Sequence, residues 1–421
     1  MSRPTSRNPL SEQAVVHRLL WSEGASAFGD GLWFSMWAVY LTDVQGIPAG
    51  QMGLAMGLGG GAGLLVALPS GVLTDHLGAR GTLLTVTVLR ACFSLAFLAV
   101  HSFWPLLVTA ALFTSLETAA KGTKVTMIYL LMPEEHRMAV LAKARVVQHL
   151  LYAAGAGAAA LVLSSETTTP YHVAVVVNGL TFLITAAFLT RLPHVPPVPP
   201  ARRTASTRAI RDAPFVAIMF STALLALCWA LLSSGLPLWL QRDTVVPVWI
   251  APLTVLASSL LIALFQVRVT RRGESLGGAV RAARHSGGAL AACCLVFAAA
   301  GWPASIWLAV ALVLCGLALH VLGELYYVAA RWGLSLKLMG KDAEGQYQAV
   351  AATTEGAVVA LGPALVTTLV TGAHAAGWVL LAVVFLVCSV PVAWLCRAAL
   401  RRTVSASSEG GGGGHPAADR R

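Results

Sequence analysis

The sequence predicts an all-α integral membrane protein, with 12 transmembrane helices arranged as two six-helix bundles. Three observations carry this reading. Apolar residues (AVILMFWYC) make up 57% of the chain and charged residues only 11%, where a soluble domain carries about 25% charge. Apolar stretches recur along the whole chain, each long enough to supply the roughly 20 residues that cross a hydrocarbon core. Nearly all Lys and Arg fall in alternate connections between those stretches. The run lengths select helices, because barrel strands are about 10 residues long and alternate in polarity.

The first span, 17–41, is long and interrupted by Glu23 and Asp30. The polar residues 1–16 before it form a cytoplasmic N-terminus. No short apolar core with a small-residue cleavage site is present, so the span is expected to stay in the mature protein. The second span, 50–73, places Gly53, Gly57 and Gly61 on one face, which permits close backbone approach. The spans 83–101, 104–126, 141–163 and 171–190 complete a first block over residues 17–190. Residues 191–213 form a cytoplasmic linker in which Pro193, Pro196, Pro197, Pro199 and Pro200 precede an Arg-rich stretch, composing a semi-rigid spacer. The second block, 214–397, holds spans at 214–240, 247–266, 287–302, 304–327, 346–371 and 375–397. The remaining 398–421, with the run Gly410 to Gly414, reads as a disordered cytoplasmic tail; no Lys-Ser/Thr or helix follows the glycines, as a phosphate cradle would need.

An even number of spans puts both termini on one side. Arg3, Arg7 and Arg18, then Arg80, Arg137 and Lys143, occupy that side in the first block. The linker arginines, Arg268, Arg271, Arg272, Arg281 and Arg284, then Arg331, Lys337 and Lys341, and finally Arg397, Arg401 and Arg402 continue the pattern. The opposite connections hold Arg242 alone. By the positive-inside rule both termini are cytoplasmic, at the cell membrane. The same asymmetry accounts for the net charge of +11 without nucleic acid, which would call for a basic patch on a folded polar domain.

The seven cysteines fall inside spans or at their ends and read as small apolar packing. The chain contains no G-x-x-x-x-G-K-[ST], no His-Glu-x-x-His and no sizeable polar catalytic loop, so ATP coupling and membrane-enzyme chemistry are not expected. No cofactor or metal site is predicted.

Ionisable residues inside spans are costly, and each is a candidate functional group. Asp30 lies near the middle of the first span between Gly29 and Gly31, with Glu23 seven residues earlier on the same face. A carboxyl in a low-dielectric cavity can exchange a proton near neutral pH or bind a cation; the alternative is a structural hydrogen bond to a neighbouring backbone. Glu117, Lys121 and Lys124 share a face of the fourth span, with Glu117 and Lys121 in the favourable i,i+4 order. Trp33 and Trp37 are candidates for an aromatic cavity wall. Glu355 is a reserve proton site. Arg90 and Arg145 read as gate or headgroup contacts, and Glu324 as a gate residue partnering Arg331 or Arg268. His149 and His320 are secondary candidates.

The connection after the second span reads Gly71-Val-Leu-Thr-Asp75-His-Leu-Gly78-Ala-Arg80. It resembles the cytoplasmic signature of the major facilitator superfamily, at the position where that family carries it, although His76 and Ala79 stand where basic residues are usual. Pro133-Glu-Glu-His-Arg137 resembles the family's Pro/acid/Arg loop after span four, and Gly323-Glu324 and Gly345-Gln-Tyr347-Gln348 resemble patterns of its drug-efflux-like members. That resemblance implies the MFS fold over residues 17–397, with Gly71, Asp75, Gly78, Arg80, Arg137 and Glu324 at a cytoplasmic gate. It implies a secondary active transporter that exports small amphipathic molecules by alternating access. Asp30 and Glu117 are the residues expected to make it an antiporter driven by a proton gradient, since of the family's fifth-span Gly-Pro antiporter motif only Arg145, Gln148 and Gly155 give a partial echo. Import of a nutrient, or a non-transporting scaffold or sensor, are the competing functions. The expected partners are a small-molecule substrate and the lipid bilayer, and the expected state is a monomer.

Overall fold

The computed structural model describes residues 11–397, apart from 68, 166, 198–206, 248–249 and 342. Most of the predicted N-terminus, the Arg202 and Arg203 part of the linker and the glycine-rich tail therefore lie outside the described residues. All regular structure among the described residues is helical.

The first block contains α1 (Glu12–Val39), α2 (Ala49–Ala67), α3 (Pro69–Leu77), α4 (Ala79–Ala96), α5 (Phe103–Leu131), α6 (Glu134–Leu163) and α7 (Thr169–Leu189). Ser11 starts α1 by accepting a hydrogen bond from the Ala14 backbone N–H. In the second block a short α8 (Arg208–Arg211) precedes α9 (Ala213–Ala223), α10 (Cys228–Ala230) and α11 (Leu236–Asp243). These last three are one apolar stretch, interrupted by a 3₁₀ turn at Leu224–Leu227 and a π turn at Leu231–Gly235. Then come α12 (Ile250–Thr270), α13 (Leu276–Ala299), α14 (Ile306–Leu338) and α15 (Glu344–Ser389).

By length and composition, nine helical segments among the described residues can cross a membrane, or ten with α2 and α3 taken as one bent span. The helix α1, with Glu23 and Asp30 inside it, is not among them. The helix α15 contains the eleventh predicted span and the twelfth as far as Ser389, broken at His374, whose φ of 50° is left-handed. The predicted twelve is reached by adding α1 and dividing α15 at that break.

Three predicted boundaries need correction: α6 begins at Glu134 rather than 141, so Arg137 is helical, and two more lie in the second block. The helix α13 begins at Leu276 rather than 287, capped by Ser275, and α14 runs to Leu338 rather than 327. The apolar run marks only the part of a helix at hydrocarbon depth; both helices continue into the polar interface, so Arg281, Arg284, Arg331 and Lys337 are helical rather than in connections.

In the first block α1 packs on α6 and α7, α2 on α5, and α4 on α5 and α7; in the second, α13 packs on α14 and α15, and α12 on α14. The blocks meet where α15 lies against α2, α3 and α5, and where α12 lies against α6. The second block has one continuous core that includes Phe215, Trp239, Phe297, Tyr327, Trp378 and Phe385. The first block has two. One surrounds Trp33, Tyr40, Phe97, Phe113 and Phe182; the other, toward the Arg-rich end, contains Leu19, Leu83, Met127, Leu141 and Leu189. Along α1, α4 and α5 the interior charges fall in the gap between these cores.

The glycine stripe of the second span does not pack as expected. A side chain at Gly53, Gly57 or Gly61 would meet nothing within 4 Å. The close approach is made one face round, where a Cβ at Gly63 would stand 2.3 Å from the Ala111 carbonyl oxygen of α5. Backbone cannot give way as a side-chain tip can, so Gly63→Val should overpack this contact at a cost of about 1–3 kcal/mol or more. We expect it to lower the melting midpoint of the detergent-purified protein, while Gly57→Val leaves it unchanged; equal shifts would refute the packing assigned to α2.

Candidate functional site

The gap between the two apolar cores of the first block is a small cavity of about 70 Å³, lined by Glu23, Asp30, Arg90, Glu117, Lys121 and Lys124 with Ser26, Gln148 and Thr185. Three acids and three bases share it, and every acid has a partner. Arg90 Nη2 on α4 donates to Asp30 Oδ1 on α1 at 2.9 Å. Lys124 Nζ on α5 donates to both carboxylate oxygens of Glu23 on α1, each at 2.7 Å. Lys121 Nζ lies 2.7 Å from Glu117 Oε1, one turn along α5. The low-dielectric interior requires this pairing, because an isolated ion there costs several kcal/mol.

The pairs are unequal. The Arg90 side chain is 5% exposed and lies against the rings of Phe182 and Phe113, 4.3 and 5.1 Å from their centroids. Arg90 is thus an interior ligand of Asp30, not the gate or headgroup contact expected from its place in the sequence. Lys124 shares a face with Glu117 as predicted, but its partner is Glu23. Lys121 has the most exposed side chain of the six, at 50%.

The predicted aromatic wall is not where the sequence put it. Trp33 is buried in the outer core, with its ring 4.5 Å from that of Phe97, and its indole N–H has no partner among the described residues. Trp37 packs against the same core. A helix face that follows Asp30 by one turn is already past the charged layer. The rings that stand beside interior charge are Phe113 and Phe182, against Arg90, and, in the second block, Trp229 and Tyr327. Trp229 Nε1–H donates to Glu324 Oε1 at 2.8 Å, and the Tyr327 hydroxyl donates to Glu355 Oε1.

Glu324 does not pair with Arg331 or Arg268. Its partner is Arg145 of α6, at 2.6 Å, so this buried ion pair joins the two blocks. Arg331 instead holds Glu355, at 2.9 Å, and donates to the Ala351 carbonyl. The second-block acids were legible as intramembrane charges, but their partners lie on other helices at distances a single sequence does not encode. His149 sits on α6 near Glu324 and Arg145. His320 is buried, with Nε2–H donating to the Cys228 carbonyl oxygen at 2.8 Å.

The signature residues form a second joint between the blocks. Gly71 of α3 lies against the first turn of α15, where a Cβ would come within 2.7 Å of Gly345 O and Gln346 Cα. Asp75 Oδ1 accepts the Gly345 backbone N–H at 2.9 Å. The carboxylate thus faces the exposed N–H groups and the positive dipole end of α15. Gly78 turns the chain with a φ of 82°. Arg80 donates to the Leu189 and Thr190 carbonyls at the end of α7. Arg137 donates to the Met132 carbonyl and lies over the Tyr129 ring. Lys337 of α14 reaches Glu134 of α6 across the same end.

A sequence model described as Major Facilitator Superfamily matches residues 19–363. Among solved structures, the human organic anion transporter MFSD10 (TETRAN) is similar at 16% identity and a TM-score of 0.64, covering 92% of this chain and 100% of that one. A bacterial homologue of the iron transporter ferroportin in an outward-facing state is similar at 14% identity and a TM-score of 0.68, covering 92% of this chain and 99% of that one. At these identities the likeness is one of fold. A comparison with curated proteins finds no match.

Truncating one member of a buried pair strands the other, a loss of about 3–5 kcal/mol. Arg90→Ala should therefore lower the melting midpoint more than Asp30→Asn/Arg90→Gln, which leaves no charge behind. A double variant less stable than Arg90→Ala would show that the two side chains do not act as a pair.

Proposed function

Because the chain belongs to the Major Facilitator Superfamily, and its family and fold are those of multi-pass membrane transporters, we propose that it is a proton-coupled secondary transporter that exports small amphipathic molecules. The observation that carries the reading is the Asp30–Arg90 pair inside a cavity whose other acids are also paired. Proton uptake by Asp30 would remove the negative half of the pair. Arg90 would stay in place against Phe113 and Phe182 by cation–π attraction. A freed guanidinium and a neutral carboxyl present a different cavity to a substrate, which is the coupling an antiporter needs.

Glu117 with Lys121 and Glu355 with Arg331 are the further proton candidates, one in each block. Alternating access would rock 17–190 against 214–397, opening and closing the joints at Asp75–Gly345 and Arg145–Glu324. We place the protein in the cell membrane, with both termini and these joints at the cytoplasmic face from the Lys/Arg asymmetry, and as a monomer, because two halves in one chain already supply a complete cavity. No cofactor enters; the proton gradient supplies the energy.

A second reading has one observation in its favour. Lys121, paired with Glu117, has the most exposed side chain of the charged residues lining the cavity, which suits an organic anion as cargo.

Uptake into proteoliposomes under an imposed pH gradient tests both, with fluorescent cationic, neutral and anionic compounds. Gradient-driven movement of cationic or neutral compounds that Asp30→Asn reduces at least tenfold supports the first reading. Movement confined to anions and lost in Lys121→Gln supports the second. Movement that is indifferent to the gradient would overturn proton coupling.

A further inference from the structure

Cys228, His320 and Glu324 are separated by 92 residues and one helical turn in sequence, yet their ligand atoms all lie within 4.8 Å of one another, and all three side chains are buried. They form a thiol, an imidazole and a carboxylate, the donor set that borderline first-row dications favour. Bonds of about 2.0–2.3 Å to such an ion put ligands within roughly 4 Å of each other, so small side-chain rotations close the site.

The histidine is already arranged for ligation. Its Nε2 faces the Cys228 carbonyl oxygen at 2.8 Å. A carbonyl only accepts, so Nε2 carries the proton and Nδ1 keeps its lone pair. That Nδ1 is buried and has no hydrogen-bond partner among the described residues. An unpartnered buried acceptor is costly and asks for a reason. Metal-bound histidines characteristically donate their other ring N–H to a carbonyl or carboxylate, as here.

The backbone supports the same conclusion. Cys228 opens the three-residue α10, set between the 3₁₀ turn at Leu224–Leu227 and the π turn at Leu231–Gly235. Departures from regular helix at membrane depth are tolerated where the chain is enclosed by protein, and π turns are frequent at functional sites. Both described bonds to Glu324, from Arg145 and Trp229, fall on Oε1.

We propose that Cys228, His320 and Glu324 form a binding site for a divalent first-row transition-metal ion, with a fourth position left open. The inference is independent of proton coupling through Asp30. Binding replaces the Cys228 S–H bond with a sulfur–metal bond and releases the proton to solvent. The dication therefore adds one net charge rather than two. Among the described residues, Arg145 and His149 of α6, Cys293 of α13, Tyr327 of α14 and Glu355 of α15 are the other titratable groups that act on the cluster.

The test is cobalt titration of the full-length protein in detergent, with Zn²⁺ competition. One Co²⁺ per chain with a thiolate-to-cobalt charge-transfer band is expected, displaced by Zn²⁺. Cys228→Ser should abolish the band, and His320→Gln should weaken binding by ~10-fold or more. Cys92→Ser and Cys315→Ser, at the two exposed cysteines, should leave the band intact. Thermal melting of each variant identifies any that has failed to fold, and His320→Gln then carries the test without Cys228→Ser. Absence of the band in the wild type, or a band that survives Cys228→Ser and an affinity indifferent to His320→Gln, would overturn the proposal.

Discussion

The cost of an unpaired charge in a low-dielectric interior is the constraint on which the rest of this structure depends. Among the described residues five acid–base pairs stand inside the two blocks, and four of them connect different helices. Asp30–Arg90 ties α1 to α4, Glu23–Lys124 ties α1 to α5, Arg145–Glu324 ties α6 to α14, and Arg331–Glu355 ties α14 to α15. Well-packed apolar residues of the same volume are commonly at least as stabilising as such pairs. Their presence is therefore poorly explained by stability alone, and intramembrane charge is in general a mark of transport. The two cores of the first block show how the charges are accommodated: apolar packing above and below, with the polar layer between.

The joints between the blocks differ in chemistry. At Asp75 the carboxylate faces peptide N–H groups at the start of α15, and no side-chain cation need move to make or break the contact. At Glu324 a full ion pair spans the blocks, with an indole N–H on the same oxygen. The first depends on helix geometry and on the absence of a side chain at Gly71 and Gly345. The second depends on charge. A movement that separates the blocks has to release both, and the energy sources for doing so are unlike: rigid-body displacement for one, protonation or ligand competition for the other.

Much of this was legible in the sequence because it follows from composition. Hydrocarbon thickness fixes run length, and the Lys/Arg asymmetry is visible without a structure. The signature residues could be placed because Gly71, Asp75 and Gly78 are close in sequence and have local reasons to be what they are. The partners of interior charges were not legible. Asp30 and Arg90 are 60 residues apart, and Arg145 and Glu324 are 179 apart; nothing local to either residue records the other. The same limit hid the neighbours of Cys228, whose apolar surroundings read as packing. Trp33 was misplaced for a different reason: helical periodicity gives the face of a residue but not its depth, and one turn separates the charged layer from the outer core.

Arg80 serves two stages of the protein's life with one side chain. As a positive charge in a connection it counts toward the orientation in which the chain enters the bilayer. In the finished structure its guanidinium occupies the carbonyls at the end of α7, groups that a helix leaves without partners of their own. Biogenesis needs only the charge, and a lysine supplies it; the folded state needs the planar fork. Selection at this position is thus set by the more demanding of two unrelated tasks, and a change that is silent during insertion is felt only after the helices have assembled.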